Sequence, residues 1–243
     1  MFKAMARKAF KRHMFGDFRC IICARFCASE PALCQGCCDI LPWLDPSVCL
    51  SCGCPNSEPC SRCADRVDPF EHRFALFDYS FPTDALLKRL KYSEKRVIGR
   101  NLGLLLGSSA ALSGAANGTE LLLPIPLAWS RRRARGFNQA ADIAQACSDV
   151  LGIAWTDKLL HRHARTPRLA GLSPVERRFA LLGAFAASSE VSGKHVVLVD
   201  DVMTSGATCL ELNRELKDRG ASAVSVWTVA RTVLPDARFE DND

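Results

Sequence analysis

The stretch 196–212, VVLVDDVMTSGATCLEL, sets two aspartates and a cluster of small hydroxylic residues directly after four aliphatic ones. The aliphatic run suits a buried strand, and the residues from 207 onward suit a helix. The segment Thr204, Ser205, Gly206, Ala207 and Thr208 then sits where a strand's carboxyl end meets a helix N-terminus. Backbone amides at such a junction face outward with partial positive charge, and a phosphate is their natural guest. Gly206 lets the chain turn tightly against that anion, while Thr204, Ser205 and Thr208 add hydroxyl donors. Asp200 and Asp201 would repel a phosphate; as acceptors they suit the hydroxyls of a sugar. The implied guest carries a phosphate at one end and a diol further along, which is the shape of ribose 5-phosphate.

A second chemistry is carried by cysteine. Of 13 cysteines, 11 fall between Cys20 and Cys63. They include four CxxC pairs: Cys20 with Cys23, Cys34 with Cys37, Cys49 with Cys52, and Cys60 with Cys63. Two intervening residues let both thiolates of a pair turn onto one ion, and two pairs complete a tetrahedral site suited to zinc. Four pairs supply ligands for one or two zinc ions. The simplest pairing is sequential; a cross-braced pairing is equally legal by count. A closed shell of four thiolates leaves no open position, so such zinc is structural, and its binding supplies much of the folding free energy of so small a segment. Cys27, Cys38 and Cys54 are left over and read as small buried hydrophobes, with Cys38 a rival to Cys37.

The elements that must position these groups follow from periodicity. FALFDY at 74–79, LLLPIP at 121–126, VVLV at 196–199 and AVSVWTVA at 223–230 read as strands, the last three buried. Helical patterns cover 84–92, 96–112, 137–151 and 207–219, and SPVERR at 173–178 is a helix start capped by Ser173. Strands alternating with helices predict an α/β domain with a mainly parallel sheet, whose functional loops lie at the strands' carboxyl ends. The expected organisation is a basic N-terminal segment at 1–18, a zinc-binding region at 19–68, the α/β domain at 69–235 and an acidic tail at 236–243.

Charge and composition bound the partners. The 243 residues carry a formal net charge of +6, and no apolar run is long enough for a membrane span. The N-terminus lacks the apolar block of a secretory signal, so a reducing cytoplasm, where clustered cysteines bind metal, is expected. Residues 16–68 hold four Lys or Arg against seven acids, the wrong sign for a phosphate backbone, so that region suits a protein contact. Basic runs instead flank the predicted pocket: Arg131, Arg132, Arg133 and Arg135 in the loop expected after strand 121–125, and Lys158, Arg162, Arg165, Arg168, Arg177 and Arg178 further on. Arginine forks match phosphate oxygens, whether of a diphosphate or of a passing nucleic-acid strand. Trp129 and Phe137 are stacking candidates that read first as core residues, and His161 and His163 are candidates for general acid or base by residue type that read first as surface residues. No Ser-His-Asp order, Walker-type loop or HExxH occurs, which excludes the protease, P-loop and zincin classes.

VVLVDDVMTSGAT resembles the PRPP-binding motif of type I phosphoribosyltransferases. PIPLAWSRRRARGFNQA at 124–140, LKRLKY at 87–92, GAF at 183–185 and the cysteine pairs in front resemble the ComF (ComFC-like) family, from Cys20 to about Arg231. The resemblance implies a double zinc ribbon ahead of a phosphoribosyltransferase-like domain. It also implies PRPP with Mg2+ as ligand, the ribose 2′ and 3′ hydroxyls on Asp200 and Asp201, and the 5′-phosphate on residues 204–208. Competence members handle incoming single-stranded DNA during natural transformation. Two family positions are altered here: Leu169 replaces an expected Gln, and Ala180 an expected Asn. Two readings stand side by side: a PRPP-dependent phosphoribosyltransferase, and a non-catalytic single-stranded-DNA adaptor that keeps the pocket as a sensor or vestige.

Overall fold

Strand residues that are apolar on both faces decide the architecture. In the computed structural model, which describes residues 18–55, 60, 63, 67–92, 96–163 and 174–233, Leu122, Val197 and Val199 join one hydrophobic cluster. Leu121, Leu123, Val196 and Leu198 join another. Alternate side chains of a strand point to opposite faces, so these strands need cover on both sides. The basic segment 1–17, Arg165, Arg168, Leu169, the Ser173 cap and the acidic tail 236–243 lie outside the described residues, as do the side chains of Arg177 and Arg178.

In chain order the elements are β1 (Phe18–Arg19), β2 (Phe26–Cys27), α1 (Gln35–Ile40), β3 (Arg73–Asp78), α2 (Thr83–Tyr92), α3 (Arg96–Ser113), β4 (Leu121–Pro124) and α4 (Trp129–Arg135). There follow α5 (Gln139–Leu151), β5 (Ala154–Trp155), β6 (Leu160–Arg162), α6 (Pro174–Leu181), β7 (Phe185–Ala187), β8 (His195–Met203), α7 (Ala207–Asp218) and β9 (Ala223–Arg231). Five strands form one parallel sheet in the order β3-β9-β8-β4-β5. Strands β6 and β7 form a separate antiparallel pair. From β4 the chain crosses through α5 to β5; from β8 it crosses through α7 to β9, on the other side. The crevice between the carboxyl ends of β4 and β8 is thus the switch point where open α/β sheets receive ligands.

Helices α3 and α5 pack on one face at close range because α3 carries glycines at every fourth position. A Cβ on Gly103 would stand 2.5 Å from the Ile143 carbonyl oxygen and 2.7 Å from the Ala146 Cβ. Two expectations need correction. The arginine run after β4 is a helix, α4, and not a loop. Trp129 is 58% exposed and not core, because α4 buries no residue against the sheet.

The cysteine-rich segment rests on the sheet domain at two places. Its first half, the β1–β2 hairpin and α1, meets α2 and α3: Arg89 Nη1 donates to the Ile21 carbonyl at 3.1 Å, and Arg100 pairs with Glu30 at 3.1 Å. Its second half lies along the outer edge of β3, where the Leu44 amide donates to the Leu76 carbonyl at 2.9 Å. That contact covers part of an edge strand that would otherwise expose unpaired backbone. Among the described residues, no helix is long and apolar enough to cross a membrane.

Candidate functional site

A pocket of about 360 Å³ opens at the β4–β8 switch point. Asp200, Asp201, Thr204, Ser205, Ala207, Thr208, Arg131 and Arg135 all line it, so nearly every pocket residue expected from the sequence is brought to one place. Gly206 is buried just behind the wall, with φ of +72, the left-handed conformation glycine adopts without strain. That residue is the N-cap of α7 and offers the helix no side-chain cap. Among the described residues, none of the backbone amides of 204–208 donates to a protein partner. Five N–H groups at the start of a three-turn helix are therefore free to bind an anion.

Strand β8 runs through both aspartates, so they are held by the sheet itself. Asp201 is 8% exposed, and its Oδ2 lies 2.7 Å from Lys91 Nζ, an ion pair outside hydrogen-bond geometry. Asp200 accepts the Asp201 amide through Oδ1 at 2.8 Å. Burial, and then the adjacent Asp201 carboxylate, push the Asp200 carboxyl well above the ordinary range. Two carboxylates this close share charge poorly, and a hydroxyl donor or a hydrated cation between them relieves the repulsion. As hard oxygen donors they also suit magnesium that keeps its own waters.

The opposite wall is basic. Arg131 and Arg135 come from α4, and Arg162 from the end of β6. Arg162 lies over the Phe185 ring at 5.4 Å. Burial, and then the nearby Arg131, lower the Arg162 pKa. Guanidiniums that repel one another across a pocket are stabilised by a polyanion placed between them. His161 and His163 are exposed and do not line the pocket. Lys91 and Tyr79 do line it; they lie in the stretches LKRLKY and FALFDY, whose patterns gave neither residue a place in the pocket. Lys91 reaches Asp201 only because α2 follows β3 and returns over the sheet.

The cysteines fall into two groups: Cys20, Cys23, Cys34 and Cys37; and Cys49, Cys52, Cys60 and Cys63. Within each group the sulfurs all lie within 4.8 Å of one another. An ion bonded to sulfur at about 2.3 Å holds its ligands roughly 3.8 Å apart in a tetrahedron. The Cys23–Cys34 and Cys52–Cys60 sulfurs are 3.6 and 3.4 Å apart, and every cysteine described is free of disulfides. These donors fit a structural zinc ion in each group, and the pairing is sequential. Cys38 is buried beside Cys37 and is not in the group, while Cys27 and Cys54 are only half-buried. Cys147 and Cys209 are core residues on α5 and α7.

The phosphoribosyl transferase domain family matches residues 135–238. "DNA utilization protein YhgH" of Salmonella typhimurium is 33% identical over 88% of this chain and 90% of its own length. "Competence protein F" of Haemophilus influenzae is 30% identical over 89% of this chain and 98% of its own. Among solved structures, the glutamine PRPP amidotransferase of B. subtilis aligns over 54% of this chain and 25% of its own at 22% identity, with a TM-score of 0.38. A parallel five-stranded sheet, a hydroxyl-rich loop after paired aspartates, two four-cysteine groups and near full-length relatives converge on one assignment: the chain belongs to the ComF family, with competence protein F and DNA utilization protein YhgH.

Proposed function

We propose that the pocket binds PRPP with Mg2+ and that the chain transfers the phosphoribosyl group to an acceptor. The 5′-phosphate sits on the amides of Thr204 to Thr208, and the ribose 2′ and 3′ hydroxyls on Asp200 and Asp201. The diphosphate points to Arg131, Arg135 and Arg162. The observation that carries this reading is the presence, in one cavity, of unbonded amides at a helix start beside two β8 carboxylates. In the transfer, the bond from ribose C1 to the diphosphate oxygen breaks and its electron pair leaves with the diphosphate. The acceptor's lone pair forms the new bond to C1, and the acceptor's proton goes to solvent. The arginines gather the departing negative charge, and the aspartates hold the cation-like ribose in place. Magnesium, when bound, neutralises part of the diphosphate charge.

Within this reading, 19–68 is a zinc-binding unit and 69–235 the phosphoribosyltransferase unit, with the segments 1–18 and 236–243 flanking them. The setting is cytoplasmic DNA handling, as the relatives' names "competence" and "DNA utilization" support. Calorimetry with PRPP and Mg2+, followed by a diphosphate-release assay across candidate acceptors and DNA, tests it. Binding that needs Mg2+ and is lost in a folded Asp200→Ala/Asp201→Ala variant is the expected result. A folded, zinc-loaded parent that does not bind PRPP overturns it.

A second reading, a single-stranded-DNA adaptor, is favoured by one observation. On α4, Trp129 is 58% exposed beside three exposed arginines, with Arg133 5.3 Å from its ring. An exposed ring among cations is what a stacked base and its phosphates require. Salt-sensitive binding of single-stranded DNA, surviving the aspartate changes but weakened by Trp129→Ala with Arg131, Arg132 and Arg133 changed to Gln, supports it. Equal DNA binding by those variants and the parent removes it.

A further inference from the structure

The last residue of β9, Arg231, is 2% exposed. Its register partner on β8 is Met203, the last strand residue before the phosphate-loop turn. Nη1 of Arg231 donates to the Met203 carbonyl at 3.1 Å and also to the Thr204 carbonyl. On its other side, Nε and Nη2 donate to the carbonyls of Leu50 and Ser51 at 3.3 and 3.1 Å. Leu50 and Ser51 are the two residues between Cys49 and Cys52. One buried guanidinium therefore joins the turn that presents thiols to the second cysteine group and the turn that presents amides to the pocket.

This grip bears on the direction of those amides, together with the Thr232 amide, which donates to the same Met203 carbonyl at 3.0 Å. A peptide unit is planar, with its C=O and N–H pointing opposite ways. Holding the Met203 and Thr204 carbonyls from behind turns the N–H groups of Thr204 and Ser205 forward. At the far end, the Leu50 and Ser51 carbonyls belong to the turn that brings Cys49 and Cys52 into the second cysteine group. The packing there has no slack: a Cβ on Gly53 would stand 2.6 Å from the Thr232 carbonyl oxygen. Charge acts in the same sense. A divalent ion with four thiolates carries a formal charge of about −2, which compensates a guanidinium buried next to it. Among the described residues the first cysteine group has no such link; it is tied to α2 and α3 through Arg89 and Asn101.

We infer that Arg231 is a positioning residue that couples metal in the Cys49–Cys52–Cys60–Cys63 group to the shape of the phosphate-binding turn, whereas metal in the first group leaves that turn unaffected. For its ligand this rests on the PRPP reading above, but the coupling itself is measurable without ligand. By linkage it is reciprocal: ligand in the pocket must tighten binding of the second ion by the same factor as that ion tightens the ligand.

The test uses the full-length, zinc-loaded chain. Amide resonances of Thr204, Ser205 and Gly206 are followed by NMR while zinc is withdrawn with a chelator, and cysteine Cβ shifts report which group has lost its ion. The expected result is that these resonances move and broaden when the second group empties, and hold still when Cys20→Ser/Cys23→Ser empties the first. Arg231→Met should produce the same change with both ions present and speed zinc loss from the second group by about tenfold or more. Mg2+ with PRPP should slow that loss in the parent and not in Arg231→Met. Resonances of 204–206 that ignore the second ion overturn the inference, even if Arg231→Met proves unfolded, since that arm needs no substitution at Arg231. Failure of the parent to bind PRPP, with the zinc-dependent resonance change intact, refutes the ligand assignment and leaves the coupling standing.

Discussion

Replacing Asp200 by asparagine is expected to stabilise the fold and weaken its ligand binding. Asp200 neighbours Asp201 on β8, and burial, followed by that carboxylate, raises its pKa well above the ordinary value. An unfolded aspartate ionises near about pH 3.9. Between that pH and the raised folded value, the folded chain keeps a proton that the unfolded chain has lost. Stability therefore falls as pH rises, by up to about 1.4 kcal/mol per pH unit for one proton. Asparagine does not ionise, so this slope disappears and the variant is the more stable at neutral pH. Its Oδ1 can still accept the Asp201 amide, 2.8 Å away in the parent. Ligand binding moves the opposite way. A carboxylate bond to a ribose hydroxyl contributes about 1.5–3 kcal/mol, so affinity for PRPP with Mg2+ should drop roughly 10- to 150-fold. Urea unfolding of parent and variant at about pH 5 and about pH 8, with calorimetry on the same samples, reads both effects. A variant less stable than the parent at the higher pH, with the same pH slope, would refute the charge argument; unchanged PRPP affinity would refute the role given to Asp200.

Three further substitutions probe the scaffold. Lys91→Met leaves Asp201 without its 2.7 Å partner beside Asp200. With the two side chains 21% and 12% exposed, it should cost about 1–3 kcal/mol in urea unfolding near neutral pH, and Asp200→Asn should restore part of it. Gly103→Ala drives a methyl to 2.5 Å from the Ile143 carbonyl oxygen and must force α3 from α5; a loss of about 1–3 kcal/mol is expected by thermal or urea unfolding. Gly36→Ala on α1 meets nothing within 4 Å and should gain up to about 1 kcal/mol from helix propensity, a change of opposite sign in the same assay.

Much of this protein was legible in the chain alone, because its signals are local. Apolar runs at 121–126 and 196–199 read as buried strands, and a strand followed by small hydroxylic residues and Gly206 reads as a turn into a helix; that the second strand continues through Asp200 and Asp201 to Met203 was visible only in the structure. CxxC spacing likewise dictates that each cysteine pair faces one ion, whatever surrounds it. What tertiary structure decided is which of these local units meet. The sequential pairing of the cysteine groups was one of two arrangements legal by count. Lys91 beside Asp201, Arg162 facing Arg131, and Arg231 between Leu50 and Thr204 join residues far apart in the chain. No periodicity encodes such neighbours; they follow from the order β3-β9-β8-β4-β5, which sets β9 beside β8 and draws the second cysteine group to the edge of the same sheet. A side chain's rotamers and polar groups are written in its own residue, but its partners depend on how strands and helices cross, and that is settled only when the whole core is buried.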